Sequence, residues 1–82
     1  MSTPDLLAKT DGRRIGFEFK FGDAPKLTKA MAVAVSDLKL EELIVVKPAG
    51  RDYAMAQGIQ AMSLPSALSF CQSLRADRPE RS

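Results

Sequence analysis

Apolar and polar residues alternate strictly along residues 14–21, and this alternation is the clearest pattern in the chain. Side chains of a β-strand point to opposite faces in turn, so the pattern predicts a strand with one apolar face. Three of the four phenylalanines lie on that face, which indicates that this strand anchors the core. The apolar face carries Ile15, Phe17, Phe19 and Phe21, and the other face carries Arg14, Gly16, Glu18 and Lys20.

A β-hairpin is predicted to end in this strand. Asp5–Lys9 is predicted to form a short strand, and Asp11-Gly12 favours a two-residue type I′ turn, because both central residues of that turn need positive φ. The resulting register pairs Thr10 with Arg13, Lys9 with Arg14, Leu7 with Gly16, and Asp5 with Glu18. Opposed residues point to the same side, so Asp5, Glu18 and Lys20 are expected to cluster on one face. A longer loop with a bulge would shift this register by one residue.

A helix and a buried strand are predicted next. Apolar residues recur every three or four positions from about Leu27 to Leu38, which is the spacing of one buried helical stripe, and Thr28 or Asp23 is a candidate N-cap. The four consecutive apolar residues Leu43–Val46 favour a strand that is covered on both faces. A strand–helix–strand crossover of this length makes a parallel pair. The stripe residues are Leu27, Met31, Ala34, Val35 and Leu38, and Val33 widens the stripe.

The rest of the chain predicts a loop at residues 49–52, a strand over Ile59–Leu64 and a helix that ends near Leu74, with Pro65 in its first turn. Residues 53–57 fit no single element. The apolar face of the helix is predicted to consist of Ala67, Leu68, Phe70, Cys71 and Leu74. Residues 1–4 and 75–82 are expected to be flexible. Hairpin, helix, strand, strand and helix make a single α/β domain over residues 1–82, with a mixed sheet of about four strands.

Composition narrows the possible functions. The chain has 82 residues and a formal net charge of +2, which permits contact with nucleic acid but does not argue for it. It contains no histidine, which excludes serine–histidine and cysteine–histidine mechanisms and the common zinc sites. Cys71 is the single cysteine, so an internal disulfide is excluded and a reducing, cytoplasmic location is expected. No apolar run has the length of a membrane span, and the N-terminus lacks a signal-peptide core.

Several motifs resemble known families. Pro4-Asp5, followed after twelve residues by Glu18-Phe19-Lys20, resembles the Pro-Asp…(Asp/Glu)-x-Lys pattern of the restriction-endonuclease-like fold. A longer resemblance, to the C-terminal domain of a prokaryotic family of AAA-type ATPases of poorly known role, covers most of residues 5–64. It is carried by residues 12–20, by 23–28, and by 37–40 leading into 43–46. This resemblance implies a mixed sheet whose first and last strands run antiparallel to the middle two.

The chain also departs from these families. It has no Gly-x-x-x-x-Gly-Lys-Ser/Thr loop, so the ATPase module of the full-length family is not part of it. The nuclease-like fold normally begins with a helix and a strand before the Pro-Asp segment, whereas only three residues precede Pro4. A remnant or a fragment is therefore expected, in which the strand Asp5–Lys9 has an unprotected edge. Because exposed edges invite pairing, we expect a homodimer through that edge or the sheet face.

The cluster of Asp5, Glu18 and Lys20 suggests a metal-dependent reaction. Two carboxylates on adjacent strands suit Mg²⁺ or Mn²⁺, and the main-chain carbonyl of Phe19 would add a ligand. Lys20 would orient or help to deprotonate a metal-bound water that attacks a phosphodiester. The alternatives are a solvated strand face with a weak ion pair, or a vestigial site on a retained fold.

Three hypotheses on function follow. The favoured one is an accessory domain of an ATPase that has a nuclease-like fold without turnover and serves association or contact with DNA. The second is a Mg²⁺- or Mn²⁺-dependent DNA nuclease that uses Asp5, Glu18 and Lys20. The third is a self-associating remnant with a structural role only.

Overall fold

The computed structural model describes residues 5–10, 12–22 and 25–76. The expected flexible segments 1–4 and 77–82 lie outside these residues, whereas 75 and 76 belong to the last helix. The elements in chain order are β1 (Leu6–Thr10), β2 (Arg13–Phe19), α1 (Lys29–Asp37), β3 (Glu42–Lys47), β4 (Tyr53–Ala56), β5 (Ile59–Ser63) and α2 (Leu64–Ala76). Within the described residues, neither helix has the length and apolar character that a membrane span requires.

The described strands form one mixed sheet in the order β1-β2-β3-β5-β4. Strands β2, β3 and β5 are parallel, and the edge strands β1 and β4 each run antiparallel to their neighbour. The α/β class and the mixed sheet are confirmed. The sheet has five strands rather than about four because Tyr53–Ala56, within the stretch left unassigned from the sequence, forms β4.

The strand directions implied by the resemblance are only partly correct. The first strand is antiparallel to β2, but Ile59–Ser63 runs parallel to β3 instead of antiparallel to it. After β3 the chain crosses to the outer edge as β4 and reverses at Gly58, whose φ of +80° suits the tight turn. That reversal brings β5 back into the position beside β3 and leaves β4 as the antiparallel edge.

The centre of the fold is β3, which is buried on both faces as its sequence predicts. Its four central residues are at most 1% exposed. One face packs under α2 and contains Ile15, Phe17, Ile44, Val46, Met62, Ala67 and Leu74. The opposite face packs under α1 and contains Met31, Leu40, Leu43, Val45 and Ile59. Burial on two faces requires a helix on each side of the sheet, so the domain has three layers.

The hairpin register agrees with the prediction. Leu7 lies opposite Gly16, Lys9 opposite Arg14, and Thr10 opposite Arg13. Asp11, one of the two predicted turn residues, lies outside the described residues. The unshifted register places the polar face of β2 on the side of the sheet that α1 covers, because Gly16 pairs with the buried residue Leu43.

Both helices form, but their buried faces are narrower than predicted. Thr28 is the N-cap of α1, and its Oγ1 accepts the N–H of Met31 at 3.2 Å; the other candidate cap, Asp23, is not described. Leu27 lies before the cap and Val33 falls on the solvent side, so both are exposed and the prediction for them is wrong. In α2, Leu68 is also exposed, because the buried residues follow i, i+3, i+4 and i+7 from position 67 and leave it at the side.

The assignment of Phe21 to the core is also wrong. Strand β2 ends at Phe19, and the Phe21 side chain is 65% exposed. Its ring stacks on that of Phe19, with 6.0 Å between the ring centroids. Helix α2 packs mainly on β3 and β5, so it does not reach this end of β2. An apolar surface, defined here as Leu6 and Phe21, therefore stays exposed beside the free edge of the sheet.

Replacement of Ile44 by alanine tests the central role of β3. Ile44 is 0% exposed, so we expect Ile44→Ala to lower the free energy of unfolding by about 2–5 kcal/mol through lost burial and a cavity. Leu68→Ala, which truncates an exposed residue of α2, should change it by no more than about 0.5 kcal/mol. Urea denaturation followed by circular dichroism measures both, and equal effects of the two substitutions would contradict the assignment of the core.

Candidate functional site

The carboxyl ends of the three parallel strands meet at one edge of the sheet, which is where open α/β sheets bind ligands. Because β1 is antiparallel to β2, its first residues lie at this edge as well. The edge therefore collects Asp5 before β1, Glu18 and Lys20 at the end of β2, Lys47 at the end of β3, and Ser63 at the end of β5.

Asp5 directly precedes β1, and its carboxylate has a structural partner. Oδ2 of Asp5 accepts the main-chain N–H of Phe19 at 2.8 Å. The last backbone pair of the hairpin is Leu6 with Phe17, so this side chain extends the β1–β2 ladder beyond it. Asp5 thus fixes the start of β1 against the end of β2. Phe19, whose carbonyl is the third predicted ligand, contributes its N–H to this contact.

Glu18 and Lys20 form an ion pair with each other. Nζ of Lys20 lies 3.1 Å from Oε2 of Glu18, and the side chains are 47% and 18% exposed, respectively. The main-chain N–H of Lys20 donates to the carbonyl of Val46 at 2.8 Å, which anchors this end of β2 to β3. An ion pair with this degree of exposure contributes little to stability. The ion pair thus joins two of the three predicted catalytic residues, Asp5 contacts the main chain of Phe19, and each carboxylate has a partner in the chain.

The side chains of this cluster offer few ligands to a metal ion. Among the described residues, no group of three or more His, Cys, Asp and Glu side chains lies close enough together to hold one. Asp5 and Glu18 supply two carboxylates, and Mg²⁺ can bind through one or two carboxylates when substrate phosphates and water complete its shell. The residues thus fit a Mg²⁺ or Mn²⁺ ion that is shared with a phosphate group. Its binding would compete with the contacts to Phe19 and Lys20.

A buried lysine that sequence reasoning did not single out lies at the end of β3. Lys47 is only 8% exposed, and its Nζ donates to the carbonyl of Ala49 at 3.3 Å and to that of Arg51. The same ammonium lies 5.3 Å from the centroid of the Tyr53 ring. A Cβ on Gly50 would approach Nζ to 2.9 Å, so only glycine leaves room for this contact. Lys47 therefore holds the loop between β3 and β4 in place.

Asp52 caps the beginning of α2 from that loop. Its Oδ1 accepts the N–H of Ser63 at 2.9 Å. The hydroxyl of Ser63 donates to that of Ser66 at 3.1 Å and accepts the N–H of Ser66, as the N-cap of a helix does. The Ser63 N–H, the Ser66 hydroxyl and the charge of Lys47 lower the pKa of Asp52 below its usual value of 3.8. The spacing of Ser63 and Ser66 ahead of an apolar stripe is the sequence signal that could have revealed this network.

These contacts divide the residues at the carboxyl ends of the strands into two groups. The loop around Lys47 and Asp52 is held by hydrogen bonds within the chain, which gives it a structural role. The cluster of Asp5, Glu18 and Lys20 is more accessible and lies beside the free edge of β1. Comparison of the chain with protein-family models, with curated proteins and with solved structures found no match. The function must therefore be argued from this geometry.

The depressed pKa of Asp52 predicts a pH-dependent contribution to stability. Its folded-state pKa lies below its unfolded value, so the stabilisation is present above about pH 3.8 and is lost as the pH falls through the folded-state pKa. Asp52→Asn should therefore be less stable than the wild type at neutral pH, and the difference should shrink in acid. Urea midpoints measured from pH 7 down to pH 2 test this, and a difference that is constant with pH would contradict it.

Proposed function

We propose that this chain is a non-catalytic accessory domain that associates with another protein chain through the outer edge of β1. The proposal rests on the hydrogen-bonding of β1. Within the described residues, β1 pairs with β2 on one side only, so its outward main-chain groups have no strand partner. Such an edge is a template for pairing with a further strand.

The surface around the edge supports association. Leu6 and Leu7 of β1 are 52% and 40% exposed, and Phe21 lies exposed at the same end of the sheet. Leu6 and Leu7 point to opposite faces of β1, so each face of this strand presents an exposed leucine that an added strand would help to cover. The proposal does not depend on turnover, because the carboxylates of Asp5 and Glu18 are both engaged within the chain.

The relation to AAA-type ATPases belongs to the same proposal. It rests on the resemblance of residues 12–20, 23–28, and 37–40 leading into 43–46, to the C-terminal domain of that family. An accessory domain that joins chains without hydrolysing nucleotide suits a sequence with no phosphate-binding loop. A cytoplasmic location is also proposed, and the single cysteine Cys71, half-buried against the core, supports it.

Substitution of Leu7 tests association through β1. We expect the wild type to sediment as a dimer at tens of micromolar, and Leu7→Glu to shift it to monomer by placing a carboxylate on the pairing strand. Leu68→Glu is the matched control, because it introduces the same charge at an exposed leucine of α2, away from the edge. A wild-type chain that is a monodisperse monomer, or a dimer that Leu68→Glu disrupts and Leu7→Glu does not, would contradict the proposal.

A metal-dependent phosphodiesterase is the second candidate function. The observation that favours it is the placement of Asp5, Glu18 and Lys20 together at the carboxyl ends of the strands. If a Mg²⁺ or Mn²⁺ ion bound there, it would polarise the phosphate and supply the water nucleophile. Asp5 and Glu18 would hold the ion, and Lys20 would orient the water and offset developing negative charge.

Plasmid DNA and Mn²⁺ distinguish the two candidates. For an accessory domain we expect no cleavage, and identical behaviour of the wild type, Glu18→Ala and Lys20→Ala. Cleavage that requires Mn²⁺ and is lost in both variants would establish the phosphodiesterase instead. DNA binding without cleavage that weakens steeply with salt would identify nucleic acid as the partner in place of a protein chain.

A further inference from the structure

The main-chain groups that β1 offers to a partner can be identified from the hydrogen bonds of β2. The N–H of Phe19 points toward β1, where it meets Asp5, whereas the N–H of Lys20 and the carbonyl of Arg14 bond on the β3 side. Directions alternate along a strand, so odd-numbered residues of β2 bond to β1. Their partners are the even-numbered residues of β1. The N–H and C=O groups of Leu7 and Lys9 therefore point away from the sheet, and Asp5 directly precedes the strand.

Strand β1 is better suited to pairing than the other edge. Strand β4 has only four residues, and its register with β5 shifts between Ala54 and Ala56. Such an irregularity twists the edge and interrupts the row of donors and acceptors. Strand β1 has five residues that pair with β2 in an unbroken register. A second chain can therefore add to β1 with regular hydrogen bonds.

The charges at the two ends of β1 are opposite. Lys9 lies near one end, on the same face as Leu7, and Asp5 directly precedes the other end. Lys9 is also opposite Arg14 in the register, which places two positive side chains side by side. Like charges opposed across strands are unfavourable, so this end of the hairpin would gain from a carboxylate on the next strand.

A second copy of this chain provides that carboxylate in one register only. If two antiparallel copies of β1 pair about Asp5 or about Lys9, that residue faces itself, and like charges are opposed. If they pair about Leu6, Asp5 faces Leu7, and if they pair about Ala8, Lys9 faces Leu7. A pair centred on Leu7 places Asp5 of each copy opposite Lys9 of the other. It also opposes Leu7 to Leu7 on one face and Leu6 to Ala8 on the other, with the outward groups of Leu7 and Lys9 hydrogen-bonded.

We infer that two copies of the chain pair through β1 about a two-fold axis at Leu7, with two reciprocal Asp5–Lys9 pairs between them. The inference rests on the proposed function and specifies its partner and register. The two-fold axis makes the interface self-complementary, as in most homodimers. The five-stranded sheets of the two copies become one continuous sheet. Oδ2 of Asp5 continues to accept the N–H of Phe19, and its second oxygen faces Lys9 of the second copy.

Two charge-reversal variants, each measured alone and then as a mixture, test this register. Lys9→Glu opposes two carboxylates at each end of the interface, and Asp5→Lys opposes two ammonium groups. Each variant alone should dissociate at about tenfold higher protein concentration or more than the wild type. An equimolar mixture restores one opposite-charge pair at each end of the interface, so it should form a heterodimer with an affinity close to that of the wild type. Sedimentation equilibrium measures all three samples.

Recovery on mixing cannot come from a variant that fails to fold. Asp5→Lys removes the acceptor for the N–H of Phe19, so circular dichroism checks its fold. Asp5→Asn mixed with Lys9→Gln regains only one opposite-charge pair, so this intermediate control should gain less affinity on mixing than the charge-reversal variants do. A dimeric wild type with no recovery in the mixture would overturn the Leu7-centred register and leave association in another geometry standing. A monomeric wild type would overturn both the register and the homodimer.

Discussion

The burial of β3 on both faces is the constraint on which the rest of the fold depends. A strand with four consecutive apolar residues is stable only where each face is covered, and α1 and α2 cover them separately. The strand also needs a hydrogen-bonded neighbour on each side, which β2 and β5 supply as parallel partners. The antiparallel strands β1 and β4 are then left at the edges, where their outer groups are free of the sheet. The central strand thus determines which surfaces remain for interaction.

The cluster at the end of β2 has a structural explanation in this arrangement. Where β1 begins, the carboxylate of Asp5 supplies the acceptor for the N–H of Phe19. Glu18, only 18% exposed at its side chain, is neutralised by Lys20. Residue types that suit a nuclease can therefore stabilise a sheet end, and in the proposed homodimer the same Asp5 lies opposite Lys9 of the second copy. On this account, the cluster contributes to association rather than to catalysis.

Local signals explain which parts of the fold were predictable. The Asp-Gly turn and the alternation of residues 14–21 set the hairpin register, and Leu43–Val46 identified the buried strand. Strand β4 was not predictable, because Tyr53–Ala56 is mostly exposed and is held by its pairing with β5. The contact of Asp52 with Ser63 also depends on tertiary structure, since it joins the loop after β3 to the residue that caps α2. The ion pair of Glu18 with Lys20 is one of the alternatives that the sequence offered, whereas the contact of Asp5 with the N–H of Phe19 was not foreseen.

Amide hydrogen exchange along β1, measured as a function of protein concentration, tests pairing through this strand most directly, because it measures the protection of each amide separately. The account predicts that Leu6 and Ala8, which bond to β2, are protected at every concentration at which the chain is folded. Leu7 and Lys9 should be protected only at concentrations that support the dimer and should lose that protection on dilution. If the Leu7 and Lys9 amides exchange freely in a sample shown to be dimeric, pairing through β1 is contradicted.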